Sequence, residues 1–147
     1  MEASAQRAID VLLEKYSESH LNPVNEIIHC VCVPAIVFSV LGLLWAAHPW
    51  AAYVVVALTM VYYFSLSVPF ALGMAVMNGF FLVILGSMPH ASILPVAAII
   101  FVVAWIGQFI GHKIEGKKPS FFDDLRFLAI GPLFVLGVLY RRFGWSY

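Results

Sequence analysis

The feature that most constrains this chain is a long stretch without formal charge. Every Lys, Arg, Asp and Glu lies in residues 1–26 or 113–142, and the 86 residues from 27 to 112 carry none. A soluble domain needs charged positions over its whole surface, so such a stretch is not expected in one. Its length accommodates about four helical crossings of a hydrocarbon core, each of about 20 apolar residues. The sequence therefore predicts an all-α, polytopic integral membrane helical bundle.

Prolines and polar residues divide the apolar stretch into segments. We predict four spans, at about residues 27–47, 51–68, 69–86 and 91–112, with turns at the intervening proline-containing positions. Within the fourth span, Gly107 and Gly111 form a pair of small residues that lets a neighbouring helix approach closely. The whole chain is predicted to be a single membrane domain, with a surface helix and polar loop over 1–26, the four-span core over 27–112, a charged loop over 113–126 and a last apolar helix and tail over 127–147.

The two ends of the chain have apolar segments that are shorter or less continuous than the four spans. Residues 4–18 place apolar side chains at helical spacing, which predicts an amphipathic helix at the membrane surface. The last apolar segment, residues 127–140, is short for a crossing. It is predicted to be either a short fifth span or a re-entrant helix, and the sequence leaves both open. No basic stripe suggests a nucleic acid partner.

An even number of crossings determines which histidines share a membrane face. Four spans return His112 to the face from which the chain enters, beside His20 and His29, and leave the other two histidines on the opposite face. Six of the eight Lys and Arg residues fall on the first face, which is therefore predicted to be cytoplasmic. The two remaining arginines, after the last apolar segment, agree only if that segment is re-entrant.

Three further polar side chains accompany these histidines. Asn25 and His29 are four residues apart on a predicted helix, and Gln108, His112 and Glu115 lie on one helical stripe. Polar side chains at membrane depth usually face an interior or a wet cavity. Asn25, Gln108 and Glu115 are therefore the candidate catalytic residues, which would act beside the imidazoles or orient them through hydrogen bonds.

The histidine cluster has two interpretations from its residues alone. Imidazole suits zinc, copper or iron, and two or three histidines leave coordination positions open for a substrate or oxygen. In the other interpretation, His20 and His29 are interfacial residues and His112 interacts with the dipole at the end of its helix. The spacing is weakly specific, because no His pair stands four residues apart.

Basic residues follow the fourth span. Lys113, Lys117 and Arg126 are the candidate substrate-binding residues, because cations at the membrane face would steer a carboxylate towards the site. The alternative is a solvated patch that faces lipid headgroups.

Three blocks of the sequence stand out together: His20-x-Asn22-Pro23-x-Asn25-x-x-x-His29, then Gly111-His112-x-x-Glu115, then Gly131-Pro132-Leu133-Phe134. Their order and spacing resemble a family of small membrane proteins, the 2-hydroxy fatty acid dioxygenases of fatty acid α-oxidation. This family includes a fungal enzyme of the endoplasmic reticulum and bacterial relatives. The resemblance covers residues 16–140.

The resemblance implies an Fe(II)-dependent enzyme that uses O₂ to cleave a long-chain 2-hydroxy fatty acid between C1 and C2, leaving a fatty acid one carbon shorter. It maps the metal ligands onto His20, His29 and His112, with Glu115 as a further candidate. Zinc is the alternative metal, since it accepts the same donors. The implied location is a bacterial inner membrane or the endoplasmic reticulum. The sequence departs from the family at Cys32, where glycine is usual, so helix packing or room for the acyl chain is expected to differ.

Two other functions fit the same residues. A b-type cytochrome would use two histidines, for example His29 and His112, as axial haem ligands. A small transporter or an assembly factor would need no catalytic site. Transporters often carry charged or broken helices near the midplane, whereas here the polar residues gather at one face. The dioxygenase is therefore the leading hypothesis.

Overall fold

The computed structural model describes residues 7–117, 122 and 127–147. Within these ranges the regular structure is helical and contains no β-strand, as the sequence predicts. The helices are α1 (Ala8–Ser17), α2 (Pro23–Ala47), α3 (Pro49–Leu66), α4 (Val68–Ser87), α5 (His90–Glu115) and α6 (Gly131–Phe143). The first residues of the predicted amphipathic helix and most of the predicted charged loop lie outside the described residues.

Helices α2 to α5 are long and apolar enough to cross a membrane, which agrees with the four predicted spans. The helices are separated at His48, Ser67 and Met88, where turns are predicted. The Asn22 side chain accepts a hydrogen bond from Val24 N at 2.9 Å and begins α2. Helices α2 and α5 extend beyond the predicted spans at the polar end, so the polar clusters belong to continuous helices.

Among the described helices, α2 and α5 make the most extensive contact with each other, and glycines on α5 make their approach possible. A Cβ atom at Gly111 would collide with Asn25 Oδ1 and lie 3.3 Å from His29 Cε1. A Cβ atom at Gly107 would lie 2.6 Å from the Cys32 sulfur. The predicted role of this glycine pair is thus confirmed. It brings the two polar clusters of the sequence into contact.

The last apolar segment begins its helix at Gly131, since residues 127–130 form a turn. The Tyr63 hydroxyl donates a hydrogen bond to Ala129 O at 2.9 Å within this turn. Helix α6 has 13 residues, about 20 Å of helix, whereas a hydrocarbon core is about 30 Å thick. Its Tyr140 hydroxyl donates to Pro69 O at 2.8 Å, next to the α3–α4 turn.

Helix α1 packs on α6 through its apolar side. Ile9 and Leu13 are buried in one cluster with Phe70 of α4 and Leu133 of α6. Lys15, on the other side of α1, is exposed. This distribution follows the predicted helical spacing, while the placement of α1 at a membrane surface stays a prediction. The packing brings the end of α1, and therefore His20, over the bundle.

Candidate metal centre

Three histidine rings meet at one end of the bundle. The His20 and His29 ring centroids are 4.1 Å apart, those of His29 and His112 are 5.1 Å apart, and those of His20 and His112 are 5.9 Å apart. All three side chains are buried. His29 comes from the second turn of α2, His112 from the last turn of α5 and His20 from the connection between α1 and α2. The sequence-predicted grouping of these histidines is therefore present in the structure.

Backbone carbonyls orient two of the rings. His20 Nδ1 lies 2.8 Å from Tyr16 O, and His29 Nδ1 lies 2.9 Å from Asn25 O. A carbonyl oxygen only accepts hydrogen bonds, so each Nδ1 carries the hydrogen, and in the neutral imidazole each Nε2 keeps its lone pair. This is the tautomer in which imidazole binds a metal through Nε2 while its other nitrogen is held by a hydrogen bond.

Aromatic side chains form one wall of the histidine cluster. The Tyr16 ring is stacked on His20 with a centroid separation of 4.3 Å and an interplanar angle of 8°. Phe134 of α6 lies 5.3 Å from His20 and 5.0 Å from Tyr16, between ring centroids. Sequence reasoning did not identify Tyr16 or Phe134 as site residues. The available signals were the four-residue spacing of Tyr16 from His20 and the position of Phe134 in the third block of the resemblance.

Glu115 holds the connection that carries His20. Its Oε1 accepts a hydrogen bond from Leu21 N at 3.0 Å, and its Oε2 accepts from Asn22 N at 2.9 Å. Oε2 also accepts from Asn25 Nδ2 at 3.0 Å. Both carboxylate oxygens are thus occupied by the polypeptide in this structure. Glu115 was predicted to act beside the imidazoles or to orient them, and the resemblance made it a further candidate ligand. Its hydrogen bonds join the turn after His20 and Asn25 of α2 to the end of α5, and its role stays a prediction.

Among the described residues, the buried amide oxygens Asn25 Oδ1 and Gln108 Oε1 have no hydrogen-bond partner. Gln108, one helical turn below His112, lines a space of about 10 Å³ together with Tyr16 and Gly131, about the room of one water molecule. A buried acceptor without a partner is destabilising, by about 1–3 kcal/mol. A bound water or the hydroxyl of a substrate would satisfy Gln108. The predicted catalytic roles of Asn25 and Gln108 stay predictions.

The donor set suits a metal ion, although the side chains do not form a finished cage. A single ion about 2.1 Å from one nitrogen of each ring would separate the ring centres by roughly 4.5–5.5 Å, close to the observed spacings. Within the described ranges, however, no group of three His, Cys, Asp or Glu side chains is already arranged to hold a metal. Metal binding would therefore require the rings to turn towards a common point.

The candidate substrate-binding cations lie outside this cluster. Lys113 and Lys117 are exposed at the end of α5. Arg126 falls outside the described residues. The structure therefore places two of the three cations at the same end of the bundle as the histidines and leaves their role as a prediction.

Comparison with known proteins identifies the family. The family model described as 2-hydroxy-palmitic acid dioxygenase Mpo1-like matches residues 7–143. The chain belongs to the Mpo1-like family. A Saccharomyces cerevisiae protein named 2-hydroxy-palmitic acid dioxygenase MPO1 is 31% identical to this Mpo1-like protein over 132 residues, which cover 82% of this chain and 73% of the relative. No solved structure matches the chain.

The histidine geometry also bears on the cytochrome hypothesis. Two axial haem ligands lie on opposite sides of one iron, so their ring centres are separated by about 6 Å with the macrocycle between them. In this Mpo1-like protein the His29 and His112 centroids are 5.1 Å apart, and the His20 ring is 4.1 Å from His29. A haem between His29 and His112 would therefore require these two rings to separate, and the cytochrome stays an alternative hypothesis.

Proposed function

We propose that this Mpo1-like protein is an Fe(II)-dependent dioxygenase of fatty acid α-oxidation. It would cleave a long-chain 2-hydroxy fatty acid between C1 and C2 and release a fatty acid one carbon shorter. The observation that carries the proposal is the meeting of three buried histidines at one end of an apolar bundle. Membership of a family named for a 2-hydroxy-palmitic acid dioxygenase supports the reaction class.

In this proposal His20, His29 and His112 would hold Fe(II), His20 and His29 through their Nε2 atoms. Bound iron would supply open coordination positions for the substrate and for O₂, together with the redox chemistry that the reaction needs. The overall reaction balances as R–CH(OH)–COOH + O₂ → R–COOH + CO₂ + H₂O. The 2-hydroxy acid itself thus provides all the electrons, so no second reductant is required.

The surrounding residues would position the reactants. Glu115 keeps the turn after His20 against α2 through its three hydrogen bonds. Gln108 offers a buried acceptor to the substrate's hydroxyl, and Lys113, Lys117 and Arg126 would attract its carboxylate. The aromatic wall of Tyr16 and Phe134 limits access of water to the histidines.

We also propose the membrane setting in which this chemistry takes place. The protein would be a multi-pass protein of a bacterial inner membrane or the endoplasmic reticulum, with the histidine cluster at the cytoplasmic face. The excess of Lys and Arg at that end of the bundle supports this orientation. The acyl chain of the substrate would then enter from the lipid phase.

The test combines metal content with product analysis. Wild-type protein, His112→Ala and the matched control His90→Ala are purified in detergent under anaerobic conditions and loaded with Fe(II). His90 begins α5 at the opposite end of the helix from His112. We expect about one iron per chain in wild type and His90→Ala, and conversion of 2-hydroxyhexadecanoate with O₂ to pentadecanoate. His112→Ala should lose both.

Two results would contradict the proposal. Absence of metal from wild-type protein after loading would remove the enzymatic interpretation and favour a binding or transport role. Retention of zinc in place of iron, without conversion of the 2-hydroxy acid, would redirect the search to non-redox chemistry.

A further inference from the structure

A cavity of about 250 Å³ lies below the histidine cluster, between α2, α3 and α4. Its walls include Val37 and Leu41 of α2, Val55 and Thr59 of α3, and Leu128 of the turn before α6. The Thr59 hydroxyl donates within its own helix to Val56 O at 3.0 Å. The cavity therefore offers mainly apolar surface, with Asn78 of α4 as its buried polar exception.

The histidine cluster and the cavity are aligned along one face of α2. His29, Val33, Val37 and Leu41 follow one another at four-residue intervals, which places them on one side of a helix. Val33 lines the small space beside Gln108, and Val37 and Leu41 line the cavity. Leu128 lines both the small space and the cavity. It is the shared wall between them.

The spacing along α2 corresponds to a length of acyl chain. Val37 and Leu41 lie eight and twelve residues after His29, about 12 and 18 Å along the helix axis. An extended hydrocarbon chain advances about 1.25 Å per carbon, from bonds of about 1.5 Å at near-tetrahedral angles. With C1 and C2 at the histidines, the chain reaches the cavity after about ten carbons.

The cavity has room for the remaining length, which is about six carbons of a 16-carbon chain. A cavity of about 150 Å³ accommodates benzene, so by the same measure about 250 Å³ takes roughly ten carbons. We propose that this cavity binds the distal part of the substrate's acyl chain and sets the preferred chain length. The proposal rests on the proposed function, which supplies a 2-hydroxy fatty acid with its polar end at the histidines. In this arrangement Leu128 turns aside to admit the chain.

A bilayer lipid would offer the same chemistry as the substrate's acyl chain. The shared wall at Leu128 and the alignment along α2 favour the substrate, because both connect the cavity to the histidines rather than to a headgroup at the membrane surface. The experiment must therefore distinguish a site whose occupation depends on substrate length from one that a lipid fills.

Two adjacent valines of α3 provide matched variants. Val55 lines the cavity, whereas the Val54 side chain is 52% exposed on the outer surface of the helix. Val55→Phe would fill part of the cavity, Val55→Ala would enlarge it, and Val54→Phe makes the same change on the exposed surface. Thermal unfolding of the three variants in detergent checks that each is folded.

The measurement is binding of 2-hydroxy acids under anaerobic conditions, by titration calorimetry with the Fe(II)-loaded protein in nanodiscs. We expect Val55→Phe to weaken binding of 2-hydroxyhexadecanoate about tenfold, equivalent to fewer than two buried methylene groups, and to change binding of 2-hydroxydecanoate less than about twofold. Val54→Phe should leave both unchanged. Val55→Ala should move the preference towards acids longer than about 20 carbons, the length at which the wild-type cavity is filled.

Equal weakening of the short and the long acid by Val55→Phe would overturn the proposal, since it would indicate a general disturbance of the site. No effect on either acid would also overturn it and would leave the cavity to a lipid. The proposed function is judged separately, by turnover. If the wild-type protein binds the acids in a length-dependent way but converts none of them, the dioxygenase proposal is refuted and the proposal of an acyl-chain site stands.

Discussion

The ring of Tyr16 lies flat on the ring of His20, with centroids 4.3 Å apart and planes 8° from parallel. The backbone carbonyl of Tyr16 also accepts the hydrogen of His20 Nδ1. Tyr16 therefore fixes both the tautomer and the plane of this histidine. Because His20 stands in a connection rather than in a helix, these two contacts replace the restraint that α2 and α5 give to His29 and His112.

Replacement of the Tyr16 ring is expected to weaken metal binding. Tyr16→Leu removes the stacked pair, which is worth about 0.5–1.5 kcal/mol, so Fe(II) affinity should fall by up to about tenfold. Tyr16→Phe keeps the ring and should bind iron almost as wild type does. Anaerobic titration with Fe(II) measures both. Equal affinities of Tyr16→Leu and wild type would show that the stack does not position His20.

The prediction for Glu115 separates a positioning role from a catalytic one. Glu115→Ala removes three hydrogen bonds to residues 21–25, so we expect a loss of about 1–3 kcal/mol of stability together with weaker iron binding. Thermal unfolding in detergent measures the first. Glu18→Ala, an exposed change just after α1, is the control and should be neutral. If Glu115→Ala retains its stability and iron but loses turnover, the carboxylate acts in the reaction itself.

The histidine cluster could be predicted from the sequence only in part. His29 and Asn25 follow from helical periodicity, and the parity of the spans places His112 at the same end of the bundle. The position of His20 is different, because it depends on hydrogen bonds between Glu115 and residues about 90 positions earlier in the chain. No local pattern encodes such a contact. The wall formed by Tyr16 and Phe134 is likewise a contact between distant segments.

The fold was more predictable than the site for a related reason. The hydrocarbon thickness limits the length of each span, so a charge-free stretch and its prolines are enough to place four helices. The hydrocarbon thickness does not determine where helix α6 begins or ends. Its start at Gly131, rather than residue 127, accompanies the Tyr63 hydrogen bond to Ala129 O, which is again a contact between distant parts of the chain.

The approach of α5 to α2 at the metal centre depends on Gly111. Gly111→Ala would place a Cβ against Asn25 Oδ1 and close to the His29 ring. We expect a loss of about 1–3 kcal/mol of stability and reduced iron content. The matched control is Gly79→Ala on α4, where an added Cβ meets nothing within 4 Å; it should be neutral or slightly stabilising. Similar unfolding temperatures for the two variants would contradict the expectation.

Cys32 and Gly107 are expected to behave as a coupled pair. Since a Cβ at Gly107 would lie 2.6 Å from the Cys32 sulfur, Gly107→Ala should destabilise the wild-type protein by about 1–3 kcal/mol. Cys32→Gly introduces the residue that is usual in the family at this position. In that background Gly107→Ala should be tolerated. A double-mutant cycle of unfolding measurements gives the coupling energy. Equal effects of Gly107→Ala in both backgrounds would show that the sulfur does not limit the approach.

The choice between a fifth span and a re-entrant segment leads to the last prediction. Tyr140 of α6 bonds to Pro69 O beside the α3–α4 turn, and because α2–α5 alternate in direction, that turn lies at the same end of the bundle as the start of α2. We therefore expect the chain after α6 to return to the face that carries the histidines. Such a return would also place the last two arginines with the other cations, as the charge bias of cytoplasmic faces requires.

The test labels single cysteines with a membrane-impermeant maleimide. The cysteines are placed at Glu18, Ser87 and Ser146, one in each variant, in a background with both native cysteines replaced by alanine. Ser146→Cys should react from the same side of the membrane as Glu18→Cys, and Ser87→Cys from the other. Reaction of Ser146→Cys together with Ser87→Cys would mean that α6 crosses the membrane.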